Sequence, residues 1–433
     1  MKPSISLSIV LALAAGLWMT DPSAAAQARP EESPAATSRL ADDELSRDGR
    51  RLLDLAFAAA TAMPAHPHVK TRSLLQEEVV RACIELGQLR TARAYADQIA
   101  NWRKGAACAE LARPLVERGL VDEARRCLAI AQAAADELDR KLQHELGYDD
   151  GAVESPQDWQ RDQIRVRMAQ ALVLHGEEEQ AAALEAGVVE SEAGRVDAVR
   201  ARQATAEDFE VLMVALETEL PGMSFDRARN ALEACVELYG RFYADAERRA
   251  RAERALRDPA ARLPMDVRFE LLRRAAGAAL LHGDTDKARE LLREADAIVK
   301  KVCASGAWIP EHEIPLRASL ASLRHSVGDA AGARAELAEA AARYEAERAN
   351  IVEIYRAGAL RPLAEAALAL GDGAGALTFY RRALEEGALN ANARPRAEDL
   401  VATCLSMARL GVTPDPELWQ RILAIRAGLV APW

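Results

Sequence analysis

Aromatic residues make up only 4% of this 433-residue sequence, and no stretch alternates apolar and polar residues as a half-buried strand does. A fold built on sheets is therefore excluded. Catalytic signatures are missing too. There is no Gly-x-Ser-x-Gly elbow to present a nucleophile. No Gly-x-x-x-x-Gly-Lys loop cradles a phosphate, and no Gly-x-Gly-x-x-Gly turn opens a helix after a strand. Positive charge is not in excess: 56 Lys and Arg face 67 Asp and Glu, for a net charge of −11. Such a chain does not track nucleic-acid phosphates by default. Beyond the first twenty residues no apolar run is long enough to cross a bilayer.

The six cysteines (Cys83, Cys108, Cys127, Cys235, Cys303 and Cys404) are irregularly spaced, and none pairs at metal-ligand spacing. Most fall inside apolar helical patterns, so buried free thiols are expected, and Cys83–Cys108 is the first bridge to test. His66-Pro67-His68 offers two imidazoles without a third ligand near in sequence. No metal and no cofactor are expected. The dense arginine run Arg248, Arg249, Arg251, Arg254 and Arg257 is interrupted by Glu247, Glu253 and Asp258, and reads as a solvated helix end.

What is present is helix-forming: Ala, Leu, Arg and Glu dominate a chain that is 50% apolar and 28% charged. Its first residues read as a secretory signal. Lys2 precedes the apolar run Ile5 to Met19, then come Asp21-Pro22 and Ser23-Ala24-Ala25-Ala26. Cleavage is expected after Ala26, which predicts export to a periplasm or the medium. Removing that segment deletes Lys2 and Asp21, which cancel in charge.

Internal repeats show first at the glycines. Leu281-His282-Gly283-Asp284 echoes Leu174-His175-Gly176-Glu177, and similar junctions fall at Gly87, Gly119, Gly328, Gly371 and Gly411. Five residues after the glycine stand Ala92, Ala124, Ala181, Ala288, Ala333 and Ala376, with Pro416 at the last junction. Seven before it stand Val80, Ala112, Ala169, Ala276, Ala321, Ala364 and Cys404. Twelve after it, Ala131, Ala295, Ala340 and Ala383 recur, with Ile99, Val188 and Leu423 larger. Two antiparallel helices approach closely only where side chains are short. Glycine supplies the left-handed residue that ends the first helix. Glu177, Asp284, Asp329 and Asp372 place negative charge at the start of the second. His175 and His282, just before the turn, suit a helix C-terminus and are expected to be structural.

This pattern of a small residue, a turn glycine and two alanines resembles the tetratricopeptide repeat family, over roughly Thr71 to Leu429. Gly87 and Gly119 are 32 residues apart, but from Gly283 to Gly411 the junctions stand 45, 43 and 40 apart. Helices or linkers here are longer than in the family, and most of its large aromatics are missing, although Tyr95 and Tyr380 remain. The resemblance implies an all-α fold, a right-handed α-solenoid of antiparallel helical hairpins, whose first helices line a concave surface.

The expected layout is a signal peptide at 1–26, a flexible leader at 27–38 and an N-terminal capping helix at 39–70. Two hairpins follow at 71–136, then an acidic insertion loop at 137–158, then further hairpins at 159–429 ending in a C-terminal cap. Within the last segment, Ala206 to Arg254 reads as a degenerate hairpin turning at Pro221-Gly222 and packed by Phe209, Phe225, Tyr239, Phe242 and Tyr243.

Side chains six residues before the turn glycine are expected on the concave surface: Arg81, Arg113, Gln170, Gly277, Ser322 and Glu365. Arg167, Arg273 and Arg274 stand near them. Arginine meets carboxylates bidentately, so the groove is expected to take an acidic or C-terminal segment of a partner protein, unless neighbouring glutamates already occupy these arginines. The reading is a non-enzymatic exported scaffold, binding neither nucleic acid nor membrane once the signal is removed, with self-association open. Two alternatives stand: a closed α/α-toroid enzyme acting on glycans, distinguished by contact between first and last hairpins, and a purely architectural self-assembling protein. The Ala and Arg bias together with the signal points to a bacterium of high genomic GC content.

Overall fold

Seven glycines set the architecture. Gly87, Gly119, Gly176, Gly283, Gly328, Gly371 and Gly411 all adopt the left-handed conformation, with φ between +64° and +88°, and each ends one helix and starts a turn. After the turn, Asp284, Asp329 and Asp372 accept a hydrogen bond from the backbone N–H three residues on (Lys287, Gly332 and Gly375), which caps the next helix. Ala92, Ala181, Ala288, Ala333 and Ala376 are fully buried and Ala124 nearly so, which lets the two helices of each pair approach.

The computed structural model describes residues 40–146, 158–260, 263–306 and 308–433. The expected signal peptide and leader, and the 147–157 part of the expected insertion, lie outside them. Nineteen α-helices are found among the described residues. The first group is α1 (Arg47–Ala62), α2 (Ala65–Glu85), α3 (Leu89–Ala96), α4 (Arg103–Glu117), α5 (Val121–Leu146), α6 (Asp158–His175) and α7 (Glu178–Glu185). The middle holds α8 (Asp197–Gln203), α9 (Ala206–Glu219), α10 (Phe225–Arg241), α11 (Ala246–Ala260), α12 (Met265–Leu281) and α13 (Thr285–Ser305). The last are α14 (Pro310–Ser326), α15 (Ala330–Glu347), α16 (Glu353–Ala369), α17 (Gly373–Ala388), α18 (Ala393–Arg409) and α19 (Pro416–Ala427). The one β feature among them is an isolated bridge between Asp42 and Gln88.

The fold is the all-α array of antiparallel hairpins that the turns imply. Helices pair as α2–α3, α4–α5, α6–α7, α12–α13, α14–α15 and α16–α17, and first helices stack on first helices of the next hairpin, as α4 does on α6 and α14 on α16. The degenerate hairpin turns at Leu220–Gly222 as expected. Phe209, Tyr239 and Tyr243 are buried there, while Phe225 is exposed.

Two expectations need correction. The acidic loop read from Glu137 is helical through Leu146, because α5 continues and Glu137 pairs three and four residues on, with Arg140 at 2.7 Å and Lys141 at 3.4 Å. The second concerns the caps. Instead of shielding one end of an open array, α1 packs along α18. Leu52, Leu53, Ala56 and Phe57 share one apolar cluster with Leu400, Val401, Cys404 and Leu405. The Arg51 guanidinium lies 4.1 Å over the Trp419 ring, and the Ala393 N–H donates to the Pro432 carbonyl at 2.8 Å. α18 also touches α2, α16 and α17. The α1 helix thus pairs with α18, and the array of hairpins closes on itself.

All six cysteines are free thiols, five of them buried and Cys303 half-buried. No described helix is long and apolar enough to cross a membrane.

Candidate binding site on the inner face

The first helices of the hairpins carry polar side chains at fixed distances before their turn glycines, and on α2, α4 and α6 these converge. Glu77 is the hub. Its side chain is 3% exposed, it accepts from Arg103 of α4, and it accepts from Arg167 of α6 at 2.6 Å. Arg167 also lies 3.3 Å from Glu110 of α4. Burial works against the charge on both carboxylates. For Glu77, Arg167, Arg103 and Arg81 together outweigh it. For Glu110, Arg167, Arg113 and Arg81 do. Both pKa values therefore fall below the usual carboxylate range.

Arg81 and Arg113 stand at the edge of this cluster. Arg81 reaches Glu77 only at 3.8 Å with a side chain 35% exposed, and Arg113 reaches Glu110 at 3.6 Å with 25% exposed. Arg113 also donates to the Gln170 side-chain oxygen Oε1 at 3.3 Å, and Gln170 Nε2 donates to the Arg195 backbone carbonyl at 3.0 Å. Four guanidiniums from three helices thus share two carboxylates, and the outer two are held loosely. Glu78, one residue on from the hub, behaves in the opposite way: burial and the charge on Glu77 push its pKa up, with Arg81 opposing.

So the structure brings Arg81, Arg113, Arg167 and Gln170 together. Arg273 and Arg274 are elsewhere, on α12, paired with Glu270 at 2.6 Å and Glu237 at 2.7 Å. Ser322 donates back to Ala318, and Glu365 accepts from Ser406 of α18 at 2.7 Å. Neighbouring carboxylates do occupy the arginines, fully at Arg167, Arg273 and Arg274, loosely at Arg81 and Arg113. Sequence reasoning missed Glu77, Glu110 and Arg103. The helical spacing of Glu77 to Arg81 (i, i+4) and Glu110 to Arg113 (i, i+3) was a legible signal; Arg103 left none.

Other residues singled out by sequence have structural partners. His282 stacks on Tyr243 with centroids 4.7 Å apart, and its ring nitrogen lies 3.0 Å from the Gly240 carbonyl. In the arginine run, Arg251 bridges Glu210 and Glu217 of α9, and Arg257 bridges Glu290 and Glu294 of α13.

The fold defines a helical repeat protein whose array is closed. No family model matches the chain, and no curated protein does. Among solved structures it is similar to a circular tandem repeat protein with novel repeat topology and enhanced subunit contact surfaces. The identity is 16%, over 88% of this chain and 94% of that one, with a TM-score of 0.22, a superposition too loose to support any statement about fold or function.

Proposed function

We propose that the protein is an exported, non-enzymatic scaffold of tetratricopeptide-like hairpins whose inner face takes an acidic or C-terminal segment of another protein. The observation that supports this is the surplus of guanidinium at Arg81 and Arg113. Glu77 and Glu110 are already satisfied by Arg103 and Arg167, so the outer two are available to an incoming carboxylate without stripping the cluster of its own pairs.

Fluorescence anisotropy tests it, with the chain from Gln27 onward against acidic peptides that carry either a free or an amidated C-terminus. Saturable, salt-sensitive binding that Arg81→Ala and Arg113→Ala weaken tenfold or more supports the reading. Unchanged binding in the double variant, or none, sinks it. Export is read separately, by N-terminal sequencing of the secreted chain for a start at Gln27.

Closure of the array favours one second reading, a ring-shaped enzyme acting on glycans. Glu78, Glu365, Glu398 and Asp399 on α2, α16 and α18 all have pKa values raised by burial, as a general acid requires. Release of reducing ends from a polysaccharide panel, lost in Glu398→Gln, would move the assignment there.

A further inference from the structure

We propose a second, separate binding site: the cavity among α10, α11, α12 and α13 takes a small organic carboxylate with an apolar body. The cavity holds about 130 Å³, and its wall includes Leu256, Leu271, Leu272 and Leu291. A void of this size with such walls accommodates a single ring or a short branched chain, since an apolar cavity of about 150 Å³ takes up benzene.

Two polar groups give the cavity its chemistry. Tyr239 lines it and is only 1% exposed. Its hydroxyl is buried without a well-formed hydrogen bond, Tyr243 being the side chain that interacts with it and meets its ring edge-on at 5.2 Å. Tyr243 directs its own hydroxyl to Asp284 at 2.9 Å. A buried hydroxyl without a well-formed partner is costly, a penalty that a ligand oxygen accepting from it removes. Burial, together with the neighbouring Tyr243, pushes the Tyr239 pKa upward, which keeps the phenol a donor.

The second group is Arg268, which also lines the cavity. The other charged lining residues are committed: Arg257 bridges Glu253 at 3.0 Å and Glu294 at 2.7 Å, and Lys287 also holds Glu253. The Arg268 guanidinium has neither ion pair nor hydrogen bond among the described residues. Arg257 and Lys287 are shared among Glu253, Glu290 and Glu294, so it is the unpaired guanidinium of Arg268, not a surplus of positive charge, that offers the cavity a direct contact to an anion. A carboxylate on Arg268, an apolar body among the leucines and an oxygen near Tyr239 satisfy every unpaired group at once.

The experiment is isothermal titration of the folded chain with benzoate, with 3-methylbutanoate and with uncharged toluene as control. Saturable 1:1 binding of a carboxylate, at least tenfold tighter than toluene, is expected. Arg268→Met should weaken it tenfold or more, and Tyr239→Phe, which deletes only a hydroxyl without a well-formed hydrogen bond, should weaken it severalfold while leaving Tm unlowered. Toluene binding as tightly as benzoate, unchanged affinity in Arg268→Met, or no heat up to millimolar ligand would each overturn the proposal.

Discussion

Arg409 donates through Nε to Glu85 at 2.6 Å across 324 positions of sequence, and joins the end of α18 to the end of α2. A half-buried pair of this kind, close to the surface, contributes about 0.5–1 kcal/mol, so its value here is diagnostic. Glu85→Ala and Arg409→Ala, alone and combined, should show a coupling free energy of about 0.5–1 kcal/mol in a double-mutant cycle by urea unfolding. Zero coupling would mean that the first and last hairpins do not meet.

The same seam carries carboxylates that dislike their charge. Burial raises the pKa of Glu78 and of Glu398; Glu77 adds to the first, Asp399 and Glu78 to the second, while Arg81, Arg409 and Arg394 oppose. Below the unfolded value of about 4.3 these groups are neutral in both states. As pH rises through their raised folded pKa, the folded state must hold the charge and stability is lost. Glu77 and Glu110 act oppositely: their lowered pKa gives stability above the unfolded value, lost as pH falls through the folded one. Tm should therefore rise between pH 7 and about 4.5 and drop below that. Glu78→Gln should flatten the upper arm; a Tm that falls steadily from pH 7 downward would contradict the assignment.

On the inner face, Arg167 and Arg81 should separate by role. Arg167→Met leaves a buried carboxylate short of its main partner, which costs about 3–5 kcal/mol. Arg81→Ala, at a looser pair, should cost under about 1 kcal/mol. Equal losses in thermal unfolding would mean that Arg81 is as structural as Arg167.

How much of this was written in the chain differs between turns and seams. The glycines at φ > 0, the aspartate caps and the buried alanines are local features, each fixed by a few neighbouring residues, and they read directly. Gln170 beside Arg113 also followed from counting back from a glycine. The closure did not, because α1 and α18 each present an ordinary amphipathic face, and nothing in either names its partner. Glu77 was legible only as the helical neighbour of Arg81, since its role as a hub arises when three helices bring guanidiniums to it.

The glycine reading itself is testable at adjacent sites. Gly371 sits at φ +79°, so Gly371→Ala should cost about 1–2 kcal/mol. Gly373, the first residue of α17, has open space where a Cβ would stand, and Gly373→Ala should stabilise by about 0.4–1 kcal/mol. Differential scanning calorimetry giving both shifts the same sign would refute the turn geometry.

The cysteine expectation also moves. In the α4–α5 hairpin Cys108 and Cys127 are close enough to titrate as a pair, each shifting the other, with the pKa of Cys108 raised and that of Cys127 lowered. The Arg93 guanidinium, 3.5 Å from the Cys127 sulfur, adds to that lowering. Under diamide, which accepts the two electrons and two protons released, the first disulfide should be Cys108–Cys127. Peptide mapping that found Cys83–Cys108 instead would contradict this contact.

An open stack of hairpins can be lengthened or shortened one unit at a time, since the end helix always finds a fresh face to cover. Here α1 is already spoken for by α18. A duplicated hairpin would wedge the two apart and expose Leu52 and Leu400 together, so the repeat number is locked in by geometry. The lineage can then change its surfaces freely but its girth only in one leap, by rebuilding the join at the same time.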